Sequence, residues 1–451
     1  MNSAFAAGEW KEVVAADGGS FDRLGQAIAC SGDLLVAGAT GDDDLGNNAG
    51  AVYLFDTANA TQLRKLRAHD GVAGDSFGAS VAVSGTRIAV GAPEDDDAGD
   101  ASGAVYLFET TRLDEAGYQP MKLVASDAAA GDEFGYSVAI GNGYVVVGAW
   151  KDGDSGDNRG AVYIFDASSG AQLRKLTASD AAPSDQFGGA VGISDSFVVV
   201  GSPFADAKGV DSGAAYFFDS ASGNQLRKIT AIDGTTGDVF GAAVSAYGGK
   251  CLIGAPGFDS NDSDTELGAG KAYLYALTTG SQVAQLSPRD GAADDRFGSA
   301  VALEDLAVIG AFFDDDGASS AGAAYVFDLT GVQKHKLVHP SPASSDFFGQ
   351  AVAISGRNVS VGVPQDDPSG SSSGSISIFD ISGSAPDLVV SISGQDVVLT
   401  WIAAPGATYR IHHSSTLATW EPLSGVLGGG SYTHVSALGE PRRFYILEEI
   451  K

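Results

Sequence analysis

The dipeptide Phe-Gly recurs along this chain at a nearly fixed interval. It stands at Phe77-Gly78, Phe134-Gly135, Phe187-Gly188, Phe240-Gly241, Phe297-Gly298 and Phe348-Gly349, with Leu24-Gly25 as a degenerate first copy. Successive steps are 53, 57, 53, 53, 57 and 51 residues. Self-similarity at such a period marks an array of supersecondary units, none of which buries its apolar face alone.

One copy reads as four short strands. In the second, Gly78–Val83 is a strand of small and β-branched residues, followed by the tight turn Ser84-Gly85-Thr86. Arg87–Val90 is the next strand and runs into Gly91-Ala92-Pro93. After an acidic loop come Gly103–Phe108 and then Met121–Val124. The third strand is apolar on both faces in the first four copies: Val52-Tyr-Leu-Phe55, Val105-Tyr-Leu-Phe108, Val162-Tyr-Ile-Phe165 and Ala215-Tyr-Phe-Phe218. A half-exposed strand would alternate, whereas a strand covered on both sides need not. Each sheet is therefore expected to pack between two others. Radial packing of four-stranded sheets is a β-propeller.

The seventh copy, Phe348 to Ile381, supplies only three strands. At the other end, Glu9–Asp17 aligns with Gln62–Asp70, the outer strand and connection of the first copy. The predicted fold is all-β: a seven-bladed propeller of four-stranded blades over residues 9–383, closed by the N-terminal strand. Closure removes two open edges. An open β-solenoid is the competing topology, and it leaves the strand at Trp10 unexplained. Residues 1–8 have the small-x-small look of a trimmed export signal. From 384 to 451 five new alternating segments predict a small β-sandwich.

The repeats resemble the FG-GAP family, named for Phe-Gly and the triplet Gly-Ala-Pro. The triplet stands at 91–93 and 254–256, with variants such as Gly38-Ala-Thr40, Gly148-Ala-Trp150, Gly201-Ser-Pro203, Gly310-Ala-Phe312 and Gly362-Val-Pro364. The family includes the propeller head of integrin alpha chains and many secreted bacterial proteins. The resemblance implies a binding or adhesive role outside the cell, with a protein or carbohydrate partner at a surface or matrix. A monomer is expected. Integrin-type repeats often carry an Asp-rich calcium loop between Phe-Gly and Gly-Ala-Pro. Here that stretch is a bare turn, so those calcium sites do not carry over. The tail resembles fibronectin-III-like modules through Trp401, Tyr409, Trp420 and Phe444-Tyr445, and its His412-His413 reads as an exposed pair rather than a metal site.

The chain holds 57 Asp and Glu against 26 Lys and Arg, a net charge of −31. Such a surface disfavours nucleic acid and anionic membranes. Strands in a blade run up and down, so the second-to-third loops and the blade-to-blade connections emerge together, and both are acidic. Basic pairs such as Arg64-Lys65, Arg174-Lys175 and Arg227-Lys228 are expected near the opposite turns. The Asp two residues before each anchor (Asp22, Asp75, Asp132, Asp185, Asp238, Asp295, Asp346) reads as an acceptor of backbone N–H groups at the turn. No cofactor is required by the sequence. Calcium, which takes six to eight oxygens, has its best candidate ligands where acids alternate: Asp152, Asp154 and Asp157, and Asp259, Asn261, Asp262, Asp264 and Glu266.

Signals of catalysis are weak. No Walker, His-Glu-x-x-His or Cys-x-x-Cys pattern occurs. The recurring Tyr53, Tyr106, Tyr163, Tyr216, Tyr273 and Tyr325 read as core between blades. Cys30 and Cys251 fall at non-equivalent positions and read as small core residues. The predicted function is non-catalytic binding at the acidic loop face. A polysaccharide-processing enzyme and a structural module of a larger assembly are the alternatives.

Overall fold

In a computed structural model, the structure describes residues 10–153, 157–258 and 268–381, and strand segments between 389 and 450. Seven four-stranded antiparallel sheets follow one another along Glu9–Phe379. Each is built in chain order from inner to outer strand, except the last. There the strand Trp10–Val13 adds to Ser375–Asp380, with Trp10 opposite Phe379 and Val13 opposite Ile376. The predicted ring closure is thus observed. Among the described residues no helix is long and apolar enough to cross a membrane.

The third strands are the core of each blade. Ala51–Phe55, Ala104–Phe108 and Ala161–Phe165 are buried along their whole length. Apolar clusters span neighbouring blades: Val36, Val52 and Leu66 of the first meet Phe77, Val90 and Tyr106 of the second. Another joins Val13 and Ile376 of the seventh blade to Leu24 and Tyr53 of the first. The anchor phenylalanine plugs each seam. Phe77 is fully buried and packs edge-on against Tyr106 and Phe108, with ring centroids 5.5 and 6.1 Å apart. Burying such a ring stabilises the fold by about 1.5–3 kcal/mol.

The two glycines of the repeat signature exist for each other. The Gly78 N–H donates to the Gly91 carbonyl of its own blade at 2.9 Å. A Cβ on Gly38 would collide with the Gly78 carbonyl of the next blade, and Gly78 itself sits at φ +96. The same conflict recurs between Gly362 and Gly25, across the junction of last and first blades. Only glycine allows the backbones to approach this closely. The inner strands carry small residues, including Ala29, Ala82, Ala139 and Gly192, which line an axial cavity of about 760 Å³.

Both cysteines are free. Cys251 is in the core, whereas Cys30 lines the axial cavity, where burial pushes its thiol up to about 12.

Among the described residues beyond 381, six strands form two three-stranded antiparallel sheets. One holds Val389–Ser393, Asp396–Trp401 and Gly430–His434. The other holds Thr408–Ser414, Glu421–Pro422 and Phe444–Ile450, of which the short Glu421–Pro422 strand was not foreseen. Trp420 lies outside the described residues.

Candidate functional site: the acid rim

The acidic loops and connections do share one rim, because side chains from both converge on the recurring tyrosines. The Tyr106 hydroxyl lies 2.7 Å from Asp70 of the preceding connection and 2.8 Å from Asp95 of the second-to-third loop. Tyr53 joins Asp17 and Asp42 at 3.0 and 2.9 Å, and Tyr325 joins Asp290 and Asp314 at 3.2 and 2.7 Å. The tyrosines are therefore core by their rings and hubs of the rim by their hydroxyls, a pairing expected of buried Tyr.

The basic residues depart from expectation. Lys65 does not sit near the opposite turns. Its ammonium lies 2.9, 2.6 and 2.7 Å from Asp17, Asp42 and Asp44. Lys122 makes the same approach to Asp70, Asp95 and Asp97 at 3.0, 2.8 and 2.5 Å, as does Lys336 to Asp290, Asp314 and Asp316. Lys175 joins Asp127 and Asp152, and Lys228 joins Asp180. The reason is strand direction. Lys65 is the next-to-last residue of the outer strand Thr61–Leu66, which has by then returned to the acidic rim. Each ammonium also lies over its tyrosine ring, 5.2 Å from the centroid for Lys65, Lys122 and Lys336. The arginines do go the expected way: Arg174 bonds the Ala221 and Ser222 carbonyls, and Arg227 bonds Thr278.

Burial alone would raise the pKa of Asp17, Asp70, Asp127, Asp180, Asp233 and Asp290. Bonds to a lysine and a tyrosine outweigh it and hold all six below the usual carboxylate range. The aspartates two residues before the anchors are different. Each accepts the backbone N–H three residues earlier, at 2.6–2.8 Å, as predicted. They are buried, and among the described residues no lysine pairs with Asp75 or Asp295. Burial first, and then neighbouring carboxylates, push Asp75 and Asp295 up to about 6.

The predicted calcium ligands are only partly described. Asp152 bonds Tyr163 at 2.6 Å and Lys175 at 2.8 Å, so its carboxylate is already engaged. Asp157 pairs with Arg159 at 2.5 Å. Asp154, Asp259, Asn261, Asp262, Asp264 and Glu266 lie outside the described residues.

Two departures from the repeat stand out on the rim. In the third blade Trp150 replaces the proline of the triplet, and Tyr136 follows Phe-Gly. Their ring centroids are 4.8 Å apart, and Tyr136 is 43% exposed. The Trp150 indole N–H donates to Glu133 at 2.6 Å, and the Lys151 ammonium lies 4.7 Å from the indole centroid. In the sixth blade Phe312, Phe313 and Phe347 cluster with centroids 4.3–5.8 Å apart, and Arg296 lies 4.8 Å from the Phe313 centroid. Sequence reasoning noted both triplets as variants without seeing that they put aromatics at the rim. The signal was the missing proline itself.

The FG-GAP repeat family model matches the chain seven times, over residues 8–55, 60–108, 118–165, 171–218, 224–275, 281–327 and 332–379. No curated protein matches it. Each matched segment spans the outer strand of one blade and the first three strands of the next, so the repeat unit is offset by one strand from the blade and crosses every seam held by the glycine contacts. The chain belongs to the FG-GAP repeat family.

Proposed function

We propose that the propeller is a non-catalytic binding module that acts outside the cell, at a surface or in a matrix. Its ligand-facing region is the acid rim at the third and sixth blades. The observation that carries this reading is the pair Tyr136 and Trp150, with Glu133 and Lys151 beside them. The other blades have no aromatic pair at this place, so the pair has no role in the repeat's own architecture. Half-exposed aromatics flanked by fixed charges are the residue types that dominate binding energy at interfaces. They also suit stacking on the apolar face of a sugar ring. A rigid ring of blades lets such loop-edge residues vary without disturbing the core.

A panel of glycans and matrix proteins tests the reading, comparing the wild-type chain with Tyr136→Ala/Trp150→Ala. The double variant should lose affinity at least tenfold for whatever the wild type retains. Unchanged binding would remove the aromatic pair from the proposal, and turnover of a polysaccharide would replace it with catalysis. Calcium at the 259–266 loop belongs to the same reading. Millimolar calcium at fixed ionic strength should raise the melting temperature, and no shift would end that part.

A further inference from the structure

The seventh blade keeps the shape of the rim cluster and inverts its charge. Glu12 stands opposite Ser377 just as Lys65 stands opposite Tyr53. Asp366 occupies the place of Asp42, its carbonyl accepting from Gly374 as that of Asp42 accepts from Gly50, both at 2.9 Å. So a second carboxylate enters where other blades place an ammonium. Among the described residues no lysine or arginine pairs with Glu12 or Asp366. The neighbouring Lys11 is turned away, its ammonium 2.6 Å from the Ala58 carbonyl.

The space is shared by His339, from the connection between the sixth and seventh blades. Its side chain is only 6% exposed. Its Nδ1 lies 3.1 Å from the Ser341 carbonyl, which can only accept, so Nδ1 carries the proton. Nε2 is buried and without a hydrogen-bond partner. It lies 3.7 Å from Glu12 Oε1, and the donor atoms of Glu12, His339 and Asp366 are all within 4.8 Å of one another. The Ser377 hydroxyl is also buried and unpartnered. A neutral imidazole here would turn a lone pair toward two carboxylates, an arrangement that is repulsive unless a cation lies between them. An imidazole whose other nitrogen donates to a backbone carbonyl is the usual form of a metal-bound histidine.

We propose that Glu12, His339 and Asp366 bind one divalent transition-metal cation, zinc by preference, in the place the lysine ammonium takes elsewhere. One imidazole nitrogen and two carboxylates match the ligand types of zinc, whose bonds of ~2.0–2.2 Å set donors roughly 3.4 Å apart. Rotation of the partly exposed Glu12 side chain closes the remaining distance. The ligands come from the first strand, from a connection and from a loop of the last blade. The ion therefore fastens the N-terminal strand to the sheet it completes.

The test uses the full chain, stripped with chelator and returned to buffer of fixed ionic strength with excess magnesium. Zinc titration should show one tight equivalent by calorimetry and raise the melting temperature by several degrees. Cobalt should give the visible bands of a four- or five-coordinate nitrogen and oxygen site. His339→Gln and Glu12→Gln should each abolish the tight equivalent and the bands, while Asp100→Asn on the exposed rim should keep both. Absence of a tight equivalent in the wild type would overturn the proposal. So would a site that survives both variants. A wild type deaf to zinc whose stability below pH 6 depends on His339 would assign the cation to the imidazolium instead, and would equally overturn it.

Discussion

The second and seventh blades carry the same backbone and opposite solutions to one electrostatic problem. In the second, Asp70, Asp95 and Asp97 surround the Lys122 ammonium, which is supplied by the blade's own outer strand. In the seventh, the outer strand comes from the far end of the chain and brings Glu12, beside Asp366 and His339. With the metal proposed above, the rim would call for a cation at this point rather than for a lysine as such. Where the repeat supplies one, the acids of the loop and of the connection are drawn into one hydrogen-bonded unit. A net charge of −31 therefore overstates the free charge of the rim, because many of its carboxylates already have partners.

What the two blades share gives the largest expected effect. Phe77 and Phe348 plug equivalent seams and both are fully buried. Phe77→Ala and Phe348→Ala should each cost about 3–5 kcal/mol in urea or thermal unfolding. A much smaller loss for Phe348→Ala would mean that the last seam is not packed like the others. Next come the cations. Lys122→Met leaves Asp95 buried without its ammonium and should cost about 2 kcal/mol. That is less than for a fully buried pair, since Asp70 and Asp97 reach solvent. The reverse change, Glu12→Lys, should turn the seventh blade into a regular one and stabilise it by up to about 1 kcal/mol without metal. If both substitutions move stability in the same direction, the comparison fails.

The smallest effect is the pH dependence, and its sign follows from the two sets of aspartates. Asp75 and Asp295, pushed up to about 6 by burial and by neighbouring carboxylates, are less willing to ionise in the folded than in the unfolded chain. Their ionisation opposes folding above that value, so stability should rise as pH falls from about 7 towards about 4. The six aspartates held below the usual range by lysine and tyrosine act the other way. Their contribution is present above the unfolded value of about 3.9 and is lost below it. Melting temperature against pH should therefore peak in mild acid. Asp75→Asn should flatten the limb between about pH 4 and 7 and leave the acid limb below it unchanged.

Most of the ring was legible in the sequence. Period, doubly apolar third strands and the kinship of Glu9–Asp17 with Gln62–Asp70 together require seven blades and a shared last one. The turn role of Asp75 and its equivalents followed from their constant offset to the anchor. The lysines were misplaced because proximity in sequence to the outer turn was taken for proximity in space. Six extended residues carry the chain back across the blade. The seam cluster was half visible: the same alignment that closed the ring sets Glu12 on Lys65. Its other members, His339 and Asp366, lie more than three hundred residues away in the chain, and their meeting depends on closure. The aromatic pair at Tyr136 and Trp150 showed only as a damaged triplet, because a motif reports where the repeat is kept and not what replaces it.

The claim that rim acids are organised around built-in cations is tested most directly at the ammonium groups themselves. Nitrogen-15 labelling of lysine allows each Nζ to be followed by NMR, with Lys65→Arg, Lys122→Arg and Lys336→Arg supplying assignments. Slowly exchanging ammonium protons at Lys65, Lys122 and Lys336, still present when exposed lysines have lost theirs to exchange with water, are the predicted result. Exchange at those three as fast as at exposed lysines would contradict the account.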